Sequence, residues 1–109
     1  MIVYTNLMKG KVRGFDWDDG NWSKCGKHGV SKAEIEFVIR HALFVVDDPH
    51  PFEKRYRTAL RADTGRYVFV AFSLRQKDGF HQIRPISARF MHDKEIKSYE
   101  TQMARISIR

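Results

Sequence analysis

The feature that most constrains the fold is a pair of long β-forming runs separated by a tight turn. Residues 67–74 are rich in Val and Phe and predict a central strand, and residues 80–90 predict the next strand. Lys77-Asp78-Gly79 lies between them and is typical of a hairpin turn. Residues 55–62 predict a further strand, which ends at a turn formed by Asp63-Thr64-Gly65. The second half of the chain therefore predicts an antiparallel sheet.

Helix signals lie before and after these strands in the sequence. Ser31-Lys32-Ala33-Glu34 is a capping box, in which the Ser hydroxyl and the Glu carboxylate accept hydrogen bonds from N–H groups at a helix start. It predicts a helix over residues 32–41, after a short strand and helical turn around residues 15–22 and before a possible strand at residues 43–46. Asp93 is placed to cap a C-terminal helix. The apolar face of that helix carries Ile96, Tyr99 and Met103.

These elements predict an α+β fold, with a small antiparallel sheet of about four strands packed against two N-terminal helices and one C-terminal helix. A chain of 109 residues is the size of one domain. We interpret residues 1–14 as an N-terminal extension and residues 15–109 as that domain. No secretion signal or membrane-spanning run is recognised, and one cysteine, Cys25, cannot form an internal disulfide. Both observations suit the cytoplasm, with Cys25 as a spectator.

The net charge of +7 is concentrated in one half of the chain. Residues 1–53 hold 7 Lys and Arg against 8 Asp and Glu, a balance of −1, whereas residues 54–109 hold 13 against 5, a balance of +8. A domain with such a field favours a polyanionic partner, and that association weakens as salt is added. Charge alone does not decide between a nucleic acid and an acidic protein.

Arg84 and Arg89 lie in an otherwise strand-like, Ile-containing segment. A guanidinium is always charged and offers a planar fork of donors that suits a phosphate or a carboxylate. The two positions differ by an odd number, so a regular strand would send the side chains to opposite faces. Pro85 removes one ladder hydrogen bond, and a one-residue bulge near it would return both arginines to the same face.

Metal and cofactor chemistry has little support in the sequence. The 5 histidines, at positions 28, 41, 50, 81 and 92, include no pair four residues apart on one predicted helix and no partnering Cys cluster. Glycine-rich phosphate loops and nucleophile motifs are not recognised. We therefore expect no metal and no cofactor, and basic side chains would have to perform any catalysis.

Several motifs together resemble the BrnT family, over residues 15–100. They are Phe15-Asp16-Trp17-Asp18, Lys27-His28-Gly29-Val30-Ser31, Arg55-Tyr56-Arg57, Val68-Phe69-Val70-Ala71-Phe72 and Arg84-Pro85-Ile86-Ser87-Ala88-Arg89. The resemblance implies a RelE-like fold and a metal-independent endoribonuclease that acts as the toxin of a type II toxin–antitoxin system. It also implies a co-encoded DNA-binding antitoxin similar to BrnA, and a toxin–antitoxin heterotetramer.

The same resemblance suggests which side chains form the RNA site. The candidate catalytic residues are Arg89, Arg84, Arg55, Lys27 and His28, and the candidate RNA-binding residues are Arg57, Arg61 and His92. The chain departs from the family pattern at Thr58-Ala59-Leu60, which leaves open whether Arg55 or Arg57 is the active arginine. Alternatives for the other positions also stay open: His28 could instead stabilise the turn before the helix, and Lys27 could be a solvated loop residue.

Two other functions remain consistent with the sequence. The chain could be a toxin-like scaffold with weak or lost cleavage that serves mainly as the partner of a DNA-binding repressor. It could also be a small RNA-binding module that stacks bases on Phe69, Phe72 and Phe80, although phenylalanines in strands are more often core residues.

Overall fold

A computed structural model describes the backbone of residues 12–107 and the side chains of residues 12–105. Its elements are β1 (Val12–Phe15), α1 (Asp19–Cys25), a short 3-10 helix (Gly26–His28), α2 (Lys32–Arg40), β2 (Val46–Asp47), β3 (Tyr56–Arg61), β4 (Tyr67–Lys77), β5 (Phe80–Phe90) and α3 (Asp93–Ser107). Among the described residues, no helix is long and apolar enough to cross a membrane.

The strands form a single five-stranded sheet in the order β1-β5-β4-β3-β2. The pairs β2–β3, β3–β4 and β4–β5 are antiparallel, whereas β1 lies parallel to β5 at one edge. The α+β class is confirmed, but the prediction of a purely antiparallel sheet of about four strands is wrong. Residues 12–14, which we assigned to the extension, belong to β1. A parallel edge strand carries no hairpin signal, because its partner lies far away along the chain. The rest of the predicted extension, residues 1–11, lies outside the described residues.

The predicted hairpin between β4 and β5 is confirmed. Lys77 pairs with Phe80, so that Asp78 and Gly79 form a two-residue loop. Both residues have positive φ angles, 50° and 86°. Such a turn matches the right-handed twist of the two strands, and the Asp-Gly pair tolerates its backbone conformation. The hairpin holds the two longest strands of the sheet in register.

β5 contains a bulge next to Pro85, one of the two arrangements that the sequence left open for Arg84 and Arg89. Ala71 pairs with Ser87 but the adjacent Phe72 pairs with Pro85, which leaves Ile86 as the extra residue. The bulge changes the phase of the strand, so that Ile83, Pro85 and Ala88 are all buried. The side-chain amide of Asn21 donates a 2.9 Å hydrogen bond to the carbonyl oxygen of Pro85. A buried α1 side chain thereby satisfies a backbone acceptor beside the bulge.

The core lies between α1, α2 and one face of the sheet. Its buried residues include Cys25, Val30, Ile35, Val38, Ile39, Val68, Val70, Phe72, Ile83 and Ala88. α3 lies instead near one end of the opposite face, where the ring of Tyr99 is 5.9 Å from that of Tyr67. Of the three α-helices, only α3 therefore packs on that face, because α1 and α2 pack on the other side of the sheet.

Local helix signals were read correctly at α2. Ser31 Oγ accepts a hydrogen bond from the Glu34 N–H, and Glu34 Oε1 accepts one from the Ser31 N–H, each at 3.1 Å. The helix ends at Arg40, one residue before the prediction. The strand predicted at residues 43–46 is displaced to Val46–Asp47. Asp93, the predicted cap of the C-terminal helix, is instead the first residue of α3. The Glu95 carboxylate accepts a hydrogen bond from the N–H of His92, the residue before the helix.

Candidate functional site

The face of the sheet opposite the core is cationic. The alternation along β3 and β4, together with the bulge in β5, brings to this face the side chains of Arg57, Phe69, Ala71, Ser73, Arg75, Arg84, Ser87 and Arg89. Arg84 pairs with Ser73 and Arg89 with Phe69. Their positions are therefore four β4 residues apart, or about 13 Å along the strand. The bulge thus returns both arginines to one face but does not bring them together.

A cavity of about 530 Å³, called the larger cavity below, lies on this face. Its lining consists of His28, Asp48, Arg57, Phe69, Val70, Ala71, Ser87, Ala88, Arg89 and Glu95. Arg57, Ala71 and Ser87 occupy facing positions on three adjacent strands. The cavity therefore has small side chains at its centre and basic side chains at its borders, a shape that can accommodate an anionic group between two arginines.

Arg89 is held in a fixed orientation at one border. Its two terminal nitrogens donate parallel 2.8 Å hydrogen bonds to the two carboxylate oxygens of Glu95. The guanidinium carbon also lies 4.7 Å from the centre of the Phe69 ring. The hydrogen bonds from Arg89, followed by that from the His92 N–H, lower the pKa of Glu95 to about 2. Glu95 therefore stays ionised at neutral pH and occupies both terminal nitrogens of the Arg89 guanidinium.

Arg57 and His28 reach the same cavity from other elements. Arg57 lies 3.6 Å from Asp48, and more than half of its side chain is exposed. His28 is the last residue of the 3-10 helix, which Gly29 ends with a φ of 88°. That left-handed conformation favours glycine because a side chain would clash there. The Gly29-Val30-Ser31 sequence thus places an exposed imidazole between two helices and beside β5.

The smaller cavity, of about 270 Å³, lies towards the other end of the bulged strands. Its charged lining residues are Lys24, Glu53, Arg55, Arg75 and Arg84. Arg84 donates hydrogen bonds to Asp16 at 3.1 Å and to Asp18 at 2.9 Å and 3.2 Å. Its hydrogen bonds lower the pKa of Asp18, and the hydrogen bonds to Asp18 raise the pKa of Arg84, so Arg84 and Asp18 stay ionised. Arg84 thereby anchors the start of α1 to β5.

The predicted site residues do not all lie in one cavity. His28, Arg57 and Arg89 line the larger cavity, and Arg55 and Arg84 line the smaller one. Lys27, Arg61 and His92 line neither. Lys27 and His92 are exposed. Arg61 hydrogen-bonds the carbonyl oxygen of Gly65 and lies 6.0 Å from the Tyr67 ring.

Residues 17–95 match the sequence model of a protein family described as "Ribonuclease toxin, BrnT, of type II toxin-antitoxin system". The match covers well over half of the chain and contains every residue that lines the two cavities. This chain belongs to the BrnT family. The resemblance inferred from its motifs is confirmed. Among curated proteins, none matches the chain in a direct comparison of sequences.

Sequence reasoning missed several residues of this BrnT-family site. Glu95 was overlooked, although its position three residues after His92 is where a helix-capping carboxylate is common. Arg75 continues the alternation of Ala71 and Ser73 and could have been recognised from the strand pattern. The contribution of Asp48 had no local signal, since it depends on the approach of the β2–β3 loop to β3.

Other sequence interpretations are settled by burial. Phe72 is 1% exposed and belongs to the core, so its proposed role as a base-stacking platform is wrong. Burial raises the pKa of the Cys25 thiol to about 11, so very little thiolate exists at neutral pH. Cys25 is therefore a core residue rather than a nucleophile. Within the described residues, no group of three His, Cys, Asp or Glu side chains is arranged to hold a metal ion.

Proposed function

We propose that this BrnT-family chain is a metal-independent endoribonuclease whose scissile phosphate binds in the larger cavity. The observation that carries the proposal is that Arg57, Arg89 and His28 line one cavity on the open face of the sheet. Two arginines can hold a phosphate and stabilise the charge that develops on it, and a histidine can transfer a proton near neutral pH. The cavity therefore contains the residue types that RNA cleavage requires.

The proposed reaction uses the RNA's own 2′-hydroxyl group as the nucleophile. Its oxygen attacks the adjacent phosphorus and loses a proton to a base, while the bond from phosphorus to the 5′ oxygen breaks and that oxygen gains a proton. The products are a 2′,3′-cyclic phosphate and a 5′-hydroxyl end. We assign one of the proton transfers to His28. In the free protein Glu95 is a poor base, because the hydrogen bonds from Arg89 lower its pKa to about 2.

Substrate binding in this scheme exchanges one anion for another at Arg89. A phosphate accepts the same parallel hydrogen bonds as a carboxylate, so it can replace Glu95 on the guanidinium. Arg57 is the better-exposed cation and would meet the phosphate first. This assignment favours Arg57 over Arg55 as the active arginine, since Arg55 lies in the smaller cavity and is bound to Glu53 at 2.7 Å.

The smaller cavity is the proposed site for a neighbouring phosphate. Arg55, Arg75 and Arg84 line it together with Lys24. It lies beside the larger cavity on the same face, so a single RNA strand could follow both. Contacts of this kind add affinity through charge and fix the position of the strand without reading its sequence.

The same basic face is the proposed binding site of the antitoxin. A type II family implies a protein antitoxin, and we infer a BrnA-like, DNA-binding partner that presents acidic side chains to these arginines in a heterotetramer. The existing pair of Arg89 and Glu95 supports this proposal, because it demonstrates that the site accepts a carboxylate. RNA and antitoxin should consequently compete. A cytoplasmic location remains the prediction made from the single cysteine.

A cleavage assay with a matched charge control tests the function. Purified protein is incubated with a synthetic single-stranded RNA in excess EDTA, and the ends of the products are identified. Arg57→Ala should reduce cleavage by about 30- to 1,000-fold. Arg40→Ala removes the same charge from an exposed position at the end of α2, on the other side of the sheet, and should have little effect. Equal losses in the two variants would refute a specific site in the cavity.

Two outcomes of that assay would favour a different function. Loss of cleavage in EDTA with recovery on adding a divalent ion would overturn the metal-independent mechanism. RNA binding without cleavage would favour the toxin-like scaffold, an alternative supported by the ion pairs that already occupy Arg84 and Arg89. Release of a 2′,3′-cyclic phosphate in EDTA would support the proposal.

A further inference from the structure

Phe52 is unusually exposed for an aromatic residue. It retains 90% of its accessible surface, and the only other large hydrophobic residue that is exposed within residues 12–105 is Leu43, at 51%. Full exposure of a phenylalanine forgoes the stabilisation that burial of an apolar side chain provides, on the order of 1.5–3 kcal/mol. An aromatic ring presented in this way is available to a ligand.

The loop that carries Phe52 is closed by several short contacts. The N–H of Asp48 donates a 2.9 Å hydrogen bond to the carbonyl oxygen of Arg55, which joins the two ends of the loop. Inside it, the Phe52 N–H donates a 3.2 Å hydrogen bond to Nδ1 of His50. The His50 and Phe52 rings are 5.9 Å apart and meet edge to face. Phe52 is thus held at the tip of a closed loop.

Both ends of this loop border the cationic face. Asp48 lines the larger cavity, whereas Glu53 and Arg55 line the smaller one. Phe52 directly precedes Glu53, so their Cα atoms are about 3.8 Å apart. An RNA strand whose phosphates occupied the cavities would therefore have a base near the Phe52 ring.

We propose that Phe52 is a stacking platform for one unpaired base of the RNA substrate, adjacent to the phosphates held in the two cavities. This inference rests on the proposed function and adds a recognition element to it. Every base has a flat π-face, so a single exposed ring binds bases of any sequence. Phe52 would position the strand relative to the cavities, with His50 supporting the ring from its edge.

The surroundings of Phe52 favour a base over a protein partner. Protein interfaces are centred on clusters of apolar side chains that become fully buried together. Phe52 is followed by the charged residues Glu53 and Lys54, and no second large apolar residue of the described chain is exposed beside it, since Leu43 belongs to the connection between α2 and β2. An isolated ring next to arginines is typical of binding sites for single-stranded nucleic acids.

The test measures RNA affinity separately from cleavage. Fluorescently labelled 2′-O-methyl RNA, which lacks the attacking hydroxyl group, is titrated with the unmodified protein and with three variants. Phe52→Ala should weaken the affinity by about 5- to 150-fold, the range expected for one base–aromatic stack. Phe52→Trp should retain it, because the larger ring also stacks. Leu43→Ala is the matched apolar control and should leave the affinity unchanged.

A second series identifies the base that is stacked. An abasic nucleotide is placed at each position of the RNA in turn. At one position, the abasic RNA should bind the unmodified protein as weakly as intact RNA binds Phe52→Ala, and the two changes together should cost no more than either alone. Such non-additivity is the mark of a direct contact. Additive losses at every position would overturn the proposal.

The remaining outcomes distinguish this inference from the function on which it rests. RNA affinity that depends on Arg57 but not on Phe52 would overturn the stacking proposal alone. Failure of the unmodified protein to bind any RNA would overturn both. If Phe52→Ala instead weakened binding of the co-encoded antitoxin while RNA affinity was unchanged, the ring would be a protein contact and the proposal would be wrong.

Discussion

Replacing Arg89 with alanine should abolish most RNA cleavage and leave the protein folded. The guanidinium contributes a two-pronged hydrogen-bonding site at the border of the larger cavity, and its side chain is 42% exposed rather than part of the core. Loss of one preorganised contact to a developing charge costs about 2–4 kcal/mol of transition-state stabilisation. The rate constant for cleavage should therefore fall by about 30- to 1,000-fold.

Arg89→Lys should recover little of this loss. An ammonium group cannot donate the parallel pair of hydrogen bonds that Arg89 makes to Glu95, nor can it lie flat as the guanidinium does against the Phe69 ring. The lysine would retain the positive charge and with it some RNA binding. The affinity of Arg89→Lys for RNA should therefore fall less than its cleavage rate. This split between binding and catalysis distinguishes a positioned contact from a general charge effect.

Glu95→Gln should have the opposite effect on RNA binding. The amide keeps an oxygen that can accept the His92 N–H at the start of α3, but it removes the negative charge that competes with phosphate for Arg89. The affinity for RNA should rise. In contrast, the orientation of Arg89 should be less well fixed, so the cleavage rate at saturating RNA should not increase in proportion.

Single-turnover cleavage of a synthetic RNA, with urea unfolding as the measure of stability, tests these expectations together. Arg89→Ala should unfold cooperatively near the urea concentration of the unmodified protein, because a partly exposed ion pair contributes little to stability. A folded Arg89→Ala protein with full cleavage activity would refute the assignment of Arg89. Weaker RNA binding by Glu95→Gln would refute the competition between carboxylate and phosphate.

Four further predictions concern charge and stability. The logarithm of RNA affinity should fall linearly with the logarithm of salt concentration, with a slope of about −1.4 for the two phosphates proposed for the two cavities, and a slope near zero would contradict the basic face. Ser31→Ala should destabilise the protein by about 1 kcal/mol in urea unfolding without changing cleavage by the folded protein. Glu34→Ala should cost more, about 2–3 kcal/mol, because Glu34 accepts hydrogen bonds from Thr64 and Arg66 in addition to that from the Ser31 N–H; equal losses would be the contrary result. The pKa of Glu95 is lowered from 4.5 to about 2, so its ion pair stabilises the fold above pH 4.5 and the contribution disappears as the pH falls towards 2. Between pH 4.5 and pH 2, the free energy of unfolding should therefore fall less for Glu95→Gln than for the unmodified protein. Equal pH dependence of the two unfolding free energies would show that the Glu95 ion pair does not stabilise the fold.

Local features of the fold could be predicted because each depends on a few neighbouring residues. The Asp78-Gly79 turn and the Ser31–Glu34 capping box involve residues within four positions of one another, so their signals survive in any context. However, the sequence did not predict the hydrogen bonds that Glu34 accepts from Thr64 and Arg66. Hydrogen bonds from Thr64, Ser31 and Arg66 outweigh the effect of burial and hold the pKa of Glu34 below its ordinary value. Two of these partners lie 30 and 32 residues away along the chain.

The candidate site was predictable in its residue types and less so in its geometry. The sequence motifs suggested a ribonuclease site built from arginines and His28, and the odd spacing of Arg84 and Arg89 left two arrangements open, one with a bulge and one without. Only the cross-strand register located that bulge at Ile86 and assigned the two arginines to separate cavities. Register depends on pairing between strands, which a strand's own sequence specifies weakly when its two faces are both partly polar.

The sequence by itself therefore determined the family, the α+β class, the hairpin and the helix start, together with the basic character of the second half of the chain. Tertiary structure decided which basic residues share a cavity. It added β1 as a parallel edge strand, and it brought Asp18 to Arg84 across 66 residues of sequence. The physical reason is range: turns and caps are satisfied by local hydrogen bonds, whereas a charged cavity forms only after distant strands have paired and their side chains have met.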